Sequence, residues 1–410
     1  MKIWIKLFIG SVLGVGLGLL IDPNDPVVVE VLQNSSDIVI RIGRYIFFPL
    51  MFFSLAMAMY ELRQAKITLP ILGRTFLYLP LASLLFSLLG SLSVLLLKPA
   101  RIPIIAEKAE SYAIPTLMDV LRFIFPENFF HVFTTGGQIL LPLFFLAFLL
   151  GIHFSFDTVT TKPVIQFFNS LNRIFYQINI FLTEILGIGF IALAAWFVCG
   201  LRMTAELVLF KQVIILLSIN TAVILGIILP LLMYFLAGKR NFYVYLYGMI
   251  APILTGFFSG DLFFSLPLLI RHGKENLGFP RHVGAFSLPF HALFGKAGTA
   301  MVTAVSFIVI LKSYSSLGIN LAGVAWVTFF SFLISFTLGT FPRIGVFVAL
   351  SVLCSLYGRG IEDGYLILKP LLPILVSFSV TLDLVMAAFN TLLISIHQGV
   401  KKEQELSQFI

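Results

Sequence analysis

The residues best suited to chemistry lie in one stretch, 288–302, which reads Leu-Pro-Phe-His-Ala-Leu-Phe-Gly-Lys-Ala-Gly-Thr-Ala-Met-Val. It carries Lys296, His291, Pro289 and a Gly-x-x-Gly-Thr break at Gly295, Gly298 and Thr299, inside an apolar segment long enough to cross a bilayer. Glycine and proline loosen a helix, and loosened backbone at membrane depth is tolerated only where protein buries it or a cavity solvates it. A lysine there costs about 2.5–3.5 kcal/mol on insertion scales. An interrupted helix with a charge at its break is how secondary transporters build a substrate or ion site near the bilayer midplane. The competing expectation is a lysine that snorkels from a helix end to the headgroups. Apolar residues many positions to either side of Lys296 weigh against it.

A second intramembrane charge, Asp383, interrupts the apolar run 374–386. A carboxylate in such a run needs a partner. Either Lys296 or the amine of a substrate would serve. A fixed ammonium imitates the charge of a bound metal cation, and a buried lysine can also exchange its proton. Asp261 has the chemistry of an N-cap for a half-helix. Arg343 could hold a carboxylate with two parallel hydrogen bonds, or face headgroups from an exposed tip. His291 on an apolar face is expected as a satisfied core histidine or, less often, as a proton relay.

These residues must be positioned by helices. The chain has 410 residues, 59% hydrophobic and 11% charged, with mean hydropathy +1.03; soluble domains sit near 45–50% apolar and about 25% charged. The composition is that of an all-α polytopic membrane protein embedded in a lipid bilayer. The net charge of +8 does not indicate nucleic acid, because Lys and Arg fall in short clusters between apolar runs, as cytoplasmic loops require. Cys199 and Cys354 lie in or beside apolar runs, so neither a disulfide framework nor a metal motif is expected. The basic and then apolar residues 1–20 lack a small-x-small cleavage site and read as a first transmembrane helix. Its glycines, Gly10, Gly14, Gly16 and Gly18, read as a close-packing face rather than a nucleotide loop.

The pattern predicts about eight transmembrane helices and two re-entrant hairpins. The spans are 4–21, 38–61, 70–97, one ending in 139–154, 164–200, 205–237, 282–311 and 364–397. An acidic external loop is expected over 22–37 and a longer external segment over 98–135. The fifth span is too long for one simple crossing, and its Arg173 and Glu184 are too far apart to pair with each other. Segment 242–270, with basic residues on both flanks, reads as a hairpin with its tip near 259–265. Segment 320–357, broken by Gly-Thr-Phe-Pro-Arg-Ile-Gly, reads as a second hairpin from the opposite face. Both termini fall on the cytoplasmic side of a cell (inner) membrane.

Several motifs make the chain similar to the dicarboxylate/amino acid:cation symporter family, the glutamate transporters and their homologues. Residues 48–55, Phe-Pro-Leu-Met-Phe-Phe-Ser-Leu, resemble the family's Met-Pro-Ile-Val-Phe-x-Ser-Leu, and the run 141–152 resembles the family's fourth helix. Segment 255–267 resembles the serine-rich hairpin tip that ends in Thr-Leu-Pro, here Ser265-Leu-Pro267. Ser287-Leu-Pro289 with Gly298-Thr299, and Asp383 with Asn390 seven residues on, keep the family's spacing. The resemblance covers nearly the whole chain. It implies a homotrimer with an elevator mechanism. Residues 1–69 and 98–200 would supply the scaffold, and 70–97 with 201–410 the moving transport domain. It also implies that Asp383 holds a substrate amine and that Asn390, Thr299 and Ser265 hold the rest of an amino acid or dicarboxylate.

The departures bear on the coupling ion. Where the family has Asn-Met-Asp before Gly-Thr, this chain has Gly295-Lys-Ala297; an aspartate sodium ligand is Ile394. Helix-three ligand positions are Leu79 and Ala82, with only Ser83 kept, and the arginine that reads an acidic side chain is Met386. Sodium takes hard oxygen ligands, so the sequence predicts a transporter without sodium or any other cofactor. Lys296, Asp261, Ser83 and His291 remain as ion-coupling candidates, and proton coupling stays open. The alternative expectation is a membrane protein that kept the fold without coupled transport, as a passive anion pathway or scaffolding subunit. An enzyme is not expected: no His-Glu-x-x-His, Gly-x-Ser-x-Gly or catalytic aspartate pair occurs.

Overall fold

The computed structural model describes residues 2–97, 99–103, 118, 122, 124–128, 130–134, 140–157, 159–204, 207–238, 240–314, 320–340, 344–399 and 409–410. Among these the regular structure is helical throughout. Eight helical runs are long and apolar enough to cross a membrane, or nine if one bent pair counts as a span.

Helix α1 (Ile3–Leu20) packs along α6 (Lys162–Met203). Gly10, Gly14 and Gly18 of α1 face the α6 backbone, whereas Gly16 faces open space, so the glycine face is a packing face. Helix α6 has 42 residues, about 63 Å at 1.5 Å per residue, twice the roughly 30 Å hydrocarbon core. Residues 22–37, expected above as a loop, are instead mostly helical. Asp25 accepts hydrogen bonds from the Val27 and Val28 amides and Pro26 opens helix α2 (Pro26–Tyr45). A capping aspartate followed by proline is a strong helix start. Helix α3 (Phe47–Gln64) continues after Ile46. The interruption follows from Pro49, which cannot donate to the Tyr45 carbonyl and crowds it.

Helix α4 (Thr68–Leu97) follows; α5 (Leu141–His153) has 13 residues, too short alone for a crossing. The 205–237 span is three pieces. Helix α7 (Lys211–Val223) leads through a π-turn, Ile224–Ile228, to α8 (Leu229–Leu236). Pro230 cannot bond the Gly226 carbonyl; the Tyr243 hydroxyl donates to it instead, at 2.8 Å.

The first hairpin is α9 (Phe242–Gly248), α10 (Ile250–Ser259) and α11 (Leu262–Glu275), with α9 and α10 bent by 57°. Its turn is Gly260-Asp261, and α11 runs beyond the expected end at 270. Helices α12 (Arg281–Phe294) and α13 (Ala297–Tyr314) are the two halves of the broken seventh span. The second hairpin comprises α14 (Leu321–Ser335), a 3-10 turn over Phe336–Thr340 and α15 (Gly345–Tyr357). Helix α16 (Leu372–His397) ends the described core. The two runs that carry the candidate charges are wrapped by protein: 94% of the apolar stretch in Arg281–Tyr314 and 89% in Gly364–His397 is buried, against 33% for α1.

Candidate substrate and ion site

The α12–α13 break supplies the centre. Gly295 ends α12, its amide bonding the His291 carbonyl at 2.7 Å, and Lys296 precedes α13. An α-helix opens with amides that lack intrahelical partners and with a partial positive charge. Asp383 of α16 answers both. Its Oδ1 accepts from the Thr299 amide at 3.1 Å and its Oδ2 from the Thr299 hydroxyl at 2.7 Å. The approach depends on Gly298: a Cβ there would lie 2.5 Å from Leu382 Cβ and 2.6 Å from the Ser379 carbonyl. Only a residue without a side chain lets α13 reach the α16 backbone.

Lys296 Nζ lies 3.8 Å from Asp383 Oδ2. The lysine is 3% exposed and the aspartate 0%, so Lys296 does not snorkel. At that separation the ammonium neutralises the carboxylate without closing a full hydrogen bond, whose N···O distance is 2.7–3.2 Å. By count, the carboxylate keeps lone pairs that Thr299 does not use.

Asp261 caps α11, accepting from the Phe263 amide at 3.0 Å and the Phe264 amide at 3.2 Å. It also pairs with Arg44 of α2, whose guanidinium carbon sits 5.8 Å from the Phe263 ring centre. Gly260 makes the turn possible by adopting φ +56°, a left-handed conformation that glycine takes without strain. Ser265 is buried and its hydroxyl donates to the Asp261 carbonyl at 3.0 Å. Ser83 is buried on α4; its hydroxyl makes no hydrogen bond among the described residues. Asn390 is buried on α16 two turns beyond Asp383. His291 is buried with Nδ1 2.8 Å from the Ser287 carbonyl. That carbonyl can only accept, so Nδ1 carries the proton. Thr391 donates to the Ser287 hydroxyl, tying α16 to α12 at 2.9 Å. Arg343 lies outside the described residues.

Sequence reasoning missed Arg44, and it missed the pairing of Glu184 with Lys6 and with Arg271, the latter at 2.9 Å. A charge within an apolar helix is itself the signal. What a sequence withholds is the partner, which here comes from another helix each time.

The sequence that builds this site matches one known family. A model of the sodium:dicarboxylate symporter family matches residues 3–396. The chain belongs to that family. Among its relatives, the neutral amino acid transporter B(0) of Bos taurus is 24% identical over 232 residues, 51% of this chain and 43% of the relative. The Mus musculus neutral amino acid transporter B(0) is 24% identical over 359 residues, 73% of this chain and 64% of the relative. The excitatory amino acid transporter 2 of Mus musculus is 23% identical over 419 residues, 87% of this chain and 72% of the relative. The chain thus spans less than half the length of the bovine relative. The family is named for symport, and these relatives are named as amino acid transporters.

Proposed function

We propose that the chain is a secondary active transporter of amino acids or dicarboxylates, working by an elevator-type exchange between two faces of the membrane. Sodium does not drive it, and the Lys296 ammonium stands where a mobile cation would bind. The observation that carries this reading is the buried cluster of Lys296, Thr299 and Asp383 at the α12–α13 break. Its positive charge is covalently fixed, while Leu79, Ala82, Ala297 and Ile394 offer no side-chain oxygen to sodium. In this reading Asp383 keeps a free acceptor for a substrate amine, and Asn390, Thr299, Ser265 and Arg343 contact the remainder. Helices α1–α3, α5 and α6 form a scaffold shared by three subunits, and α4 with α7–α16 moves.

The test is uptake of radiolabelled alanine, serine, aspartate and succinate by vesicles holding the purified protein, with and without a sodium gradient. Saturable uptake that does not follow the sodium gradient is expected; uptake indistinguishable from empty vesicles would overturn transport. A second reading, a fold kept without coupled transport, has one observation in its favour. Asp383 already has a structural task as the cap of α13.

A further inference from the structure

A cavity of about 560 Å³ opens at the base of the first hairpin, between α3, α6, α11 and α12. None of its lining residues belongs to the Lys296–Asp383 cluster. Its volume falls within the roughly 300–1,000 Å³ of small-ligand pockets. Leu50, Ile180, Ile270 and Leu288 give it an apolar wall, and Arg173, Lys274 and Arg281 bring three cations to it.

The charges do not cancel. Glu275, a carboxylate of the lining, is already committed: Tyr176 donates to it at 2.8 Å and Arg271 Nε lies 3.5 Å away. Arg281 is held by Asn169 at 2.7 Å and faces Glu61 at 3.6 Å. Lys274 instead rests 4.0 Å from the centre of the Tyr176 ring, and Arg173 projects exposed from α6. Among the described residues neither Lys274 nor Arg173 has a carboxylate within ion-pair reach. Glu275 attracts Lys274 from a distance without pairing with it, so the two cations, on different helices beside an apolar wall, form a complement to an oxyanion that carries a hydrocarbon chain.

We propose that this cavity binds an amphiphilic oxyanion, its phosphate or carboxylate between Arg173 and Lys274 and its chain against Leu50, Ile180, Ile270 and Leu288. The site lies where α6 meets the hairpin, so its occupant ties the two together. It is argued separately from the transport reading, and its test measures binding, not uptake.

The experiment titrates purified full-length protein with n-octyl phosphate, following thermal stability by intrinsic fluorescence. Inorganic phosphate and octyl glucoside serve as probes for the charge alone and the chain alone. A saturable rise in melting temperature is expected with octyl phosphate and not with the other two. Arg173→Gln/Lys274→Gln, changes at exposed side chains, should weaken binding at least about tenfold, the value of one charge-assisted hydrogen bond. Arg173→Lys/Lys274→Arg keeps both charges and should keep the effect, as should a distant Lys162→Gln. Equal stabilisation by octyl glucoside, or undiminished binding by the Gln double variant, would overturn the proposal. So would inorganic phosphate acting as strongly as octyl phosphate. A second arm identifies the source. If the occupant is a lipid, vesicles of phosphatidylglycerol with phosphatidylcholine stabilise the protein over phosphatidylcholine alone, and the Gln double variant loses the gain. If it is a soluble amphiphile, both vesicles are equal and octyl phosphate still acts.

Discussion

At the scale of residues, the Lys296–Asp383 pair sets the terms. Two opposite charges 3.8 Å apart and almost wholly buried contribute little net stability, because desolvation offsets their attraction. Removing one of them, however, strands the other at a cost of about 3–5 kcal/mol. Lys296→Met alone and Asp383→Leu alone are therefore each expected to lower thermal stability in detergent sharply. The double change should recover part of the loss, though less than full recovery, because the Thr299 amide also loses its acceptor. Strictly additive losses in the double-mutant cycle would show that the two charges do not meet. Met386 makes a second expectation. Without an arginine there, an acidic side chain forgoes a charged hydrogen bond worth roughly 1.5–3 kcal/mol, so alanine or serine should compete at least as well as aspartate. Tight and selective aspartate binding by an Arg343→Ala variant would contradict that.

At the scale of elements, two contacts decide where the helices sit. Gly298 lets α13 touch α16, and Gly298→Ala should cost about 1–3 kcal/mol, the usual penalty for overpacking. The loss should appear in the melting temperature, while Gly16→Ala, with no atom within 4 Å of the added carbon, leaves it nearly unchanged. The other contact is the Arg44–Asp261 pair, which fastens α2 to the first hairpin turn. In the elevator proposed above these two elements would slide past each other, and the pair would have to open in each cycle. Arg44→Gln should then shift the distribution of conformations, read as faster labelling of a cysteine placed at Ser259 on the hairpin tip. Unchanged labelling would mean that α2 and the hairpin move together.

At the scale of the whole molecule, the prediction is independence from sodium. Substrate binding measured in sodium and in choline buffers should agree. A steep sodium dependence would mean that oxygen ligands reach the cluster from backbone or from side chains other than Leu79, Ala82, Ala297 and Ile394. The sequence alone determined the fold class, because long apolar runs can satisfy their backbone in lipid only as helices. It also showed the break of the seventh span, where Gly295 ends one half-helix before Lys296, but not the interruptions at Ile46 and Ile224–Ile228. Helix starts at a distance from apolar runs were less legible: Asp25-Pro26 was enough to fold most of residues 22–37 as helix, but its polar sequence resembles a loop. Only the tertiary structure decided which charges meet. Asp383 lies 87 positions from Lys296 along the chain, Asp261 lies 217 from Arg44 and Glu184 lies 178 from Lys6. Periodicity reports which face of a helix is apolar, but not which other helix covers it. That depends on packing, and on the few places, such as Gly298, where two backbones can come close enough to bring a charge to its partner.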